Sequence, residues 1–419
     1  MRRKEFIKNA AITTFFPFVL NALSACNRLG VRGQNRIIVL IQLVGGNDGL
    51  NTLIPIDQYK NLSLARPNLI IPENKILQLN GFSNVGLHPS LEAIKDLFDN
   101  KLAGFIQGVG YENPNYSHFR SSDIWLTGSD SSKVLYTGWM ARYLETIFKN
   151  YPSGYPNESN TDPPAIKIGD TGTYLFQGKS MDMSIVIDPA TPFNVSDVSL
   201  EEGDLNTLAG QEVRSIREIL LQTNKYSAVI KNALSTTIQH SKLYPKEGEN
   251  TLADQLKVVA KLIKGGLKTS VYLVELKGFD THDGQADTKD PSKGWHADLL
   301  KKLSQGVNCF WDDINKIGRE NDVLGMTFSE FGRRIMANGG NGTDHGSSQP
   351  ILFFGNQINS SIVGSNPIIP DKISAEDNLS LQYDYRSVFG SVLKQWGGAS
   401  PSSVNEVFGE HFQDIKIIV

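Results

Sequence analysis

The run Ile37-Ile38-Val39-Leu40-Ile41 continues through Leu43-Val44 into Gly45-Gly46-Asn47-Asp48-Gly49. An unbroken apolar, β-branched run has no polar side to turn to water. It predicts a strand buried on both faces, as in a parallel sheet covered by helices. The glycines predict a tight loop at the strand's C-terminal end, which offers Asp48 at the sheet edge. A turn aspartate bonded to local amides would read the same way.

The same grammar recurs along the chain. Leu102–Ile106, Ala165–Ile168, Val271–Leu276, Val323–Phe328 and Ile351–Phe354 read as further buried strands. Between them, Pro89–Asn100, Thr207–Leu243, Thr251–Ile263 and Leu299–Ile317 carry apolar residues three and four apart. That is helical spacing. A last helix, Tyr385–Trp396, is closed by Gly397-Gly398. Strands alternating with helices predict an α/β fold: a mostly parallel sheet with helices on both faces. The polar stretches Asn150–Asp162 and Asp188–Asp204 read as surface loops or insertions. The mature chain, residues 37–419, is expected to be a single domain.

The chain's start reads as an address. Arg2-Arg3-Lys4 and a short apolar run, Ala10 to Leu20, precede Leu23-Ser24-Ala25-Cys26. This is the layout of a secretory signal over residues 1–26, too short in its apolar part to span a bilayer. The basic start followed by Phe6-Ile7-Lys8 resembles a twin-arginine export signal. Leu23-Ser24-Ala25-Cys26 resembles a lipobox, in which Cys26 receives the lipid. Residues 27–36 form a linker. The expected location is the periplasm or outer envelope, with the membrane met through a lipid anchor on Cys26. The other cysteine, Cys309, falls in the Leu299–Ile317 helix and is expected to be a buried, inert thiol.

Lys and Arg number 41 against 44 Asp and Glu, a net charge of -3. That gives no basic surface for nucleic acid. Aromatic residues at 9% of the chain argue against disorder.

Function in parallel α/β sheets sits at the C-terminal ends of the strands. The second strand leads into a long loop and then Ser117-His118-Phe119-Arg120 before a helix expected at Ser121–Leu126. A serine at a helix start can be a nucleophile, with Arg120 beside it to neutralise an oxyanion, or only an N-cap. After Val271–Leu276 come Asp280 and His282, two apart, so extended backbone turns both side chains the same way. Asp and His so placed suit a divalent metal. After Val323–Phe328 comes Ser329-Glu330, where Glu330 offers either a metal ligand or a salt bridge to Arg333 or Arg334. Four glycines frame Asp344-His345 in Asn338–Gly346, just before Ile351–Phe354. This segment reads as too flexible for packing and as a metal or anion site. His88 is expected to be structural or to sit behind a ligand; His240, His296 and His411 read as surface or packing residues. Together the strand ends gather acids, imidazoles and a serine on one edge. That composition suits metal-assisted ester chemistry.

These segments resemble a family of exported bacterial proteins known as domain of unknown function 1501. The resemblance rests on Leu43–Asn51, Ser117–Arg120 with Asp123-Ile124-Trp125, Phe279–His282, Ser329–Arg333 and Gly342–Gly346. That family is grouped with the alkaline phosphatase and sulfatase superfamily. The resemblance implies a metal-dependent hydrolase of phosphate, sulfate or related esters, acting on a small molecule or an envelope polymer. It implies Ser117 as nucleophile and Asp48, Asp280, His282 and His345 as ligands. Zinc is the first metal implied, with manganese, magnesium or calcium as alternatives. Where phosphatases usually carry adjacent Asp-His at a strand end, this chain has Ser329-Glu330. Either Glu330 substitutes as an oxygen ligand, or Asp344-His345 is that pair and another ligand is missing. Either way the departure tells against a full two-metal site, and it motivates the alternative of a degenerate relative kept as a binding or assembly component of an envelope complex.

Overall fold

The computed structural model describes residues 36–188, 207, 223–409 and 412–419. The export signal, Cys26, the linker up to residue 35, His411 and most of the 189–222 stretch lie outside the described residues.

The first apolar run is strand β1 (Ile37–Val44). The other long strands of its sheet are β2 (Ala103–Gly110), β3 (Ala165–Ile168), β4 (Ser184–Ile187), β5 (Val271–Lys277), β6 (Val323–Phe328) and β7 (Gln349–Gly355). Their spatial order is β2-β7-β6-β1-β5-β3-β4, and two-residue strands at Ile362–Val363 and Tyr383–Asp384 pair with β2. Every pairing is parallel except those of β7, which runs antiparallel to both neighbours. The sheet is therefore mixed α/β and mostly parallel. The reversal of β7 brings its N-terminal end, and the loop before it, to the edge where the parallel strands end.

Alternation along β1 explains the two-sided burial. Ile37, Val39, Ile41 and Leu43 face one core with helices α1 (Glu92–Asp99), α4 (Thr251–Lys264) and α5 (Trp295–Lys316). Ile38 and Leu40 face the other, with α2 (His118–Thr127), α3 (Trp139–Ile147) and α6 (Tyr385–Gln395). Residues 223–236 are also helical, so the long helix expected from 207 to 243 ends early. The expected helix at Ser121 begins three residues sooner, at His118. Among the described residues, no helix is long and apolar enough to cross a membrane.

Cys309 is buried and free, donates to the Leu243 carbonyl at 3.0 Å, and is pushed up by burial to about 11. His88 accepts from the Ser90 amide at 3.0 Å, and His296 bonds the Asn47 amide oxygen at 3.0 Å. Burial pushes these imidazoles down, to about 3 for His88 and about 4 for His296. In the unfolded chain both return to about 6.5. Between those values the unfolded chain binds the extra protons, so stability must fall as pH is lowered through 6.5 towards 4. In chelator-treated protein, urea unfolding at pH 5 should cost ~1–2 kcal/mol less per histidine than at pH 7. A flat profile would show that both rings take up a proton without penalty.

Candidate metal centre

The site is built at the C-terminal edge of β1, β5 and β6 and at the start of α2. Gly45, at φ +122, lets the β1 exit loop touch the segment after β5. A Cβ there would stand 2.3 Å from the Asp280 amide nitrogen. Gly342 serves the same end, because its Cβ would lie 2.4 Å from the His282 carbonyl carbon. The glycine-framed segment is thus packed tightly, which corrects the expectation of a flexible loop. Thr343–His345 forms a ribbon with Arg333–Ala337, pairing His345 with Arg333.

Three side chains converge. His118, Asp280 and His345 each offer a ligand atom, and these atoms lie within 4.8 Å of one another. Each imidazole is oriented from behind. His345 Nδ1 donates to the Tyr116 carbonyl at 2.6 Å, and a carbonyl only accepts, so Nε2 keeps its lone pair. His118 Nδ1 is held at 2.9 Å by the Glu330 carboxylate. His118 Nε2 sits 3.3 Å from Asp280 Oδ2 but fails the angle for a hydrogen bond, so this buried nitrogen has no hydrogen-bond partner. We read that contact as charge proximity alone. A ring nitrogen turned into a polar cluster, with its other nitrogen fixed by a carboxylate, is oriented as a metal ligand is.

His282 joins the group. Its Nδ1 is 3.0 Å from Asp344 Oδ1, and its Nε2 lies 2.8 Å from His345 Nε2 and 3.3 Å from Asp280 Oδ1. Two facing ring nitrogens need a proton or a cation between them. Three imidazoles and one carboxylate match the donor set of a zinc-type ion. The buried Phe331 ring backs the cluster, its centroid 4.9 Å from His118 and 4.3 Å from His345.

The electrostatics follow the contacts. The hydrogen bond to Glu330 raises His118 above the ordinary imidazole value, against burial and with help from Asp280. Burial lowers His345. Burial opposes charge on Asp280, yet the hydrogen bond and the positive charge of Arg333 hold its carboxyl below the usual range. The Asn338 hydrogen bond lowers Asp344 against burial, and His282 adds to it.

Other expected site residues sit elsewhere. Asp48 is buried against Arg66, which donates to both carboxylate oxygens at 3.1 and 2.8 Å, and Gln285 adds a bond at 2.6 Å. Burial raises its pKa, but Arg66, His296 and these bonds outweigh it, and the net shift is down. As a metal ligand Asp48 would have to give up a fixed cation. Glu330 accepts from the Gly45 amide at 2.8 Å as well as from His118, so it positions a ligand rather than serving as one. Neither Arg333 nor Arg334 pairs with it; they pair with Asp280 and Glu376. Asp344 likewise stands behind His282. Arg120 is committed to a loop, its Nη2 donating to the carbonyls of Asp130, Ser131 and Lys133, so it is not free to meet an oxyanion. Ser117 caps α2 by position but makes no side-chain cap bond, and it is exposed.

Two residues went unforeseen. His118 looked like part of the helix-start motif; its signal was its place directly after Ser117, at the edge where the other ligands gather. Arg333 gave no signal beyond its charge. If Glu330 positions His118, Glu330→Gln should weaken metal affinity by ~10–100-fold while the metal-free fold keeps its stability. Titration with buffered zinc reads this, and an unchanged affinity would make the contact incidental.

Residues 199–404 match the family model described as "Protein of unknown function (DUF1501)". That segment is similar to the DUF1501 family. Of the site, the DUF1501 match takes in Asp280, His282, Glu330, Arg333, Asp344 and His345, whereas His118 and Ser117 precede it. No curated protein matches the chain. Among solved structures it is similar to a protein in the alkaline phosphatase superfamily from Vibrio parahaemolyticus, at 10% identity and a TM-score of 0.39, covering 91% of this chain and 71% of that one. It is similar to the C-terminal periplasmic domain of EcEptC from Escherichia coli in complex with Zn, at 10% identity and 0.40, covering 93% of each chain. It is also similar to the phosphonate monoester hydrolase SpPMH from Silicibacter pomeroyi, at 10% identity and 0.38, covering 91% and 78%.

Proposed function

We propose that this protein is a metal-dependent hydrolase of phosphate, sulfate or related esters, exported to the cell envelope and held there by a lipid on Cys26. The observation that carries the chemistry is the convergence of His118 and His345 on Asp280, with each Nδ1 held from behind and each Nε2 turned inward. A divalent metal bound there would supply Lewis-acid polarisation of an ester oxygen. A nitrogen-rich set favours zinc over magnesium or calcium, and manganese falls between.

The chain's own residues would do the rest. Ser117 presents an exposed hydroxyl with no cap bond, one residue before His118, at the N-terminus of the ten-residue α2. Free amides and the helix dipole at that end favour an anionic group. With Arg120 bound to its loop, the helix start is the protein's own source of positive potential beside Ser117. Asp344 and Glu330 would keep the His282 and His118 rings in place.

The test is metal content and ester turnover of the chain from Arg28 onward, purified without chelators. The expected result is stoichiometric metal and cleavage of at least one ester class. Ser117→Ala should retain the metal and lose turnover; a folded variant with unchanged turnover would remove Ser117 as nucleophile. No metal, even after reconstitution, would overturn the hydrolase.

One observation favours a second reading. Asp48 and Glu330 are both committed to protein partners, so they do not build a second metal position. A one-ion centre suits a scaffold kept for binding or assembly in an envelope complex. Bound metal without turnover of any ester would select it.

A further inference from the structure

We propose that the N-terminal edge of the sheet is the membrane-proximal face and that the candidate centre opens away from the leaflet holding Cys26. Its ester is then a water-soluble one rather than a headgroup of that leaflet. The substrate half of this proposal rests on the hydrolase reading; the orientation half rests on the lipobox and the fold.

Arg36 is pinned where the chain enters β1. Its Nη1 donates to the carbonyls of Gln395 at 2.8 Å and Trp396 at 3.1 Å, and its guanidinium carbon lies 4.6 Å over the Trp396 ring. Trp396 Nε1 in turn donates to the Ile37 carbonyl at 3.1 Å. The chain therefore leaves the domain at the edge opposite His118, Asp280 and His345. Only residues 27–35 separate Cys26 from this clamp. Fully drawn out, such a segment reaches roughly 30 Å. The eight residues of β1 alone put ~26 Å between the two edges, before the loops at either end are added. Bringing the centre down to its own leaflet would need the linker almost straight, at a large cost in backbone entropy.

The experiment uses the full lipidated chain in vesicles of phosphatidylethanolamine and phosphatidylglycerol. Single-cysteine variants are labelled with a fluorophore and quenched by headgroup-spin-labelled lipid. Cys309 is buried and does not compete for label. Lys416 lines the same ≈ 380 Å³ cleft as Arg36, and Phe119 is 88% exposed beside the centre. Lys416→Cys should be quenched several-fold more strongly than Phe119→Cys. Equal quenching, or stronger quenching at 119, overturns the proposal. Protein that fails to bind vesicles, like its Cys26→Ser control, overturns it through the anchor. Turnover of a soluble ester with no headgroup release supports the substrate half, and headgroup release from the host vesicle sinks it. If no ester is cleaved, the hydrolase reading and the substrate half both fall, and the label pattern still decides the orientation.

Discussion

His118→Ala should leave the purified protein without stoichiometric metal and without ester turnover, yet folded. The ring stands at the first position of α2, one third exposed, so its removal opens no core cavity. What is lost is the nitrogen facing Asp280 and His345. The loss of affinity should exceed the ~10–100-fold typical of a partner standing behind a ligand, as Glu330 does. Phe119→Ala, at the next residue, is the matched control and should bind metal normally. Metal content by elemental analysis and unfolding in urea read the two halves. A folded His118→Ala protein that keeps its metal and its turnover would remove the imidazole from the centre.

Arg333→Ala should be the most destabilising single change near the site. The guanidinium is buried and donates to the carbonyls of Gly45, Gly46, Phe279 and Thr343 and to Asp280. Those groups belong to three separate stretches of chain. Truncation strands their oxygens and leaves Asp280 without its cation. Asp280, half exposed, adds little because water reaches it, whereas each buried acceptor left without a donor costs about 1–3 kcal/mol of stability. Arg333→Lys should not restore it, because one ammonium cannot take the place of a planar fork with donors on three nitrogens. Urea unfolding of metal-free protein measures the loss; a cost below about 1 kcal/mol would mean the carbonyls find other donors.

The sheet was largely legible in the amino-acid sequence because its strands are buried on both faces. Ala165–Ile168 and Val323–Phe328 stand where their apolar runs lie, and Val271–Lys277 exceeds its run by one residue. Ser184–Ile187 was missed: four residues, three of them partly exposed, give too weak a pattern. At the site, Asp280 and His282 were legible because extended backbone makes a two-residue spacing meaningful. Asp48 and Glu330 were not separable from ligands by position, since an acid at a strand end looks the same whether it meets a metal, an arginine or a histidine. The partner decides, and Arg66 and His118 lie far from these acids in sequence. Arg120 was read by its closeness to Ser117, but its guanidinium is taken up by the carbonyls of Asp130, Ser131 and Lys133, a loop closure that spacing along the chain does not show.

The order of strands has a consequence for synthesis. β1 is made first, yet both of its hydrogen-bonding neighbours, β5 and β6, arrive hundreds of residues later. Pairing so distant in sequence is slow and cannot begin on a short nascent chain. The matched segment 199–404 holds β5 and β6 but not the strand between them, so it cannot close its own sheet. A polypeptide released before residue 345 has no centre to load. One released just after it carries all the ligands but lacks β7, the strand that joins β2, and with it the loop into α2 and His118, to the rest of the sheet.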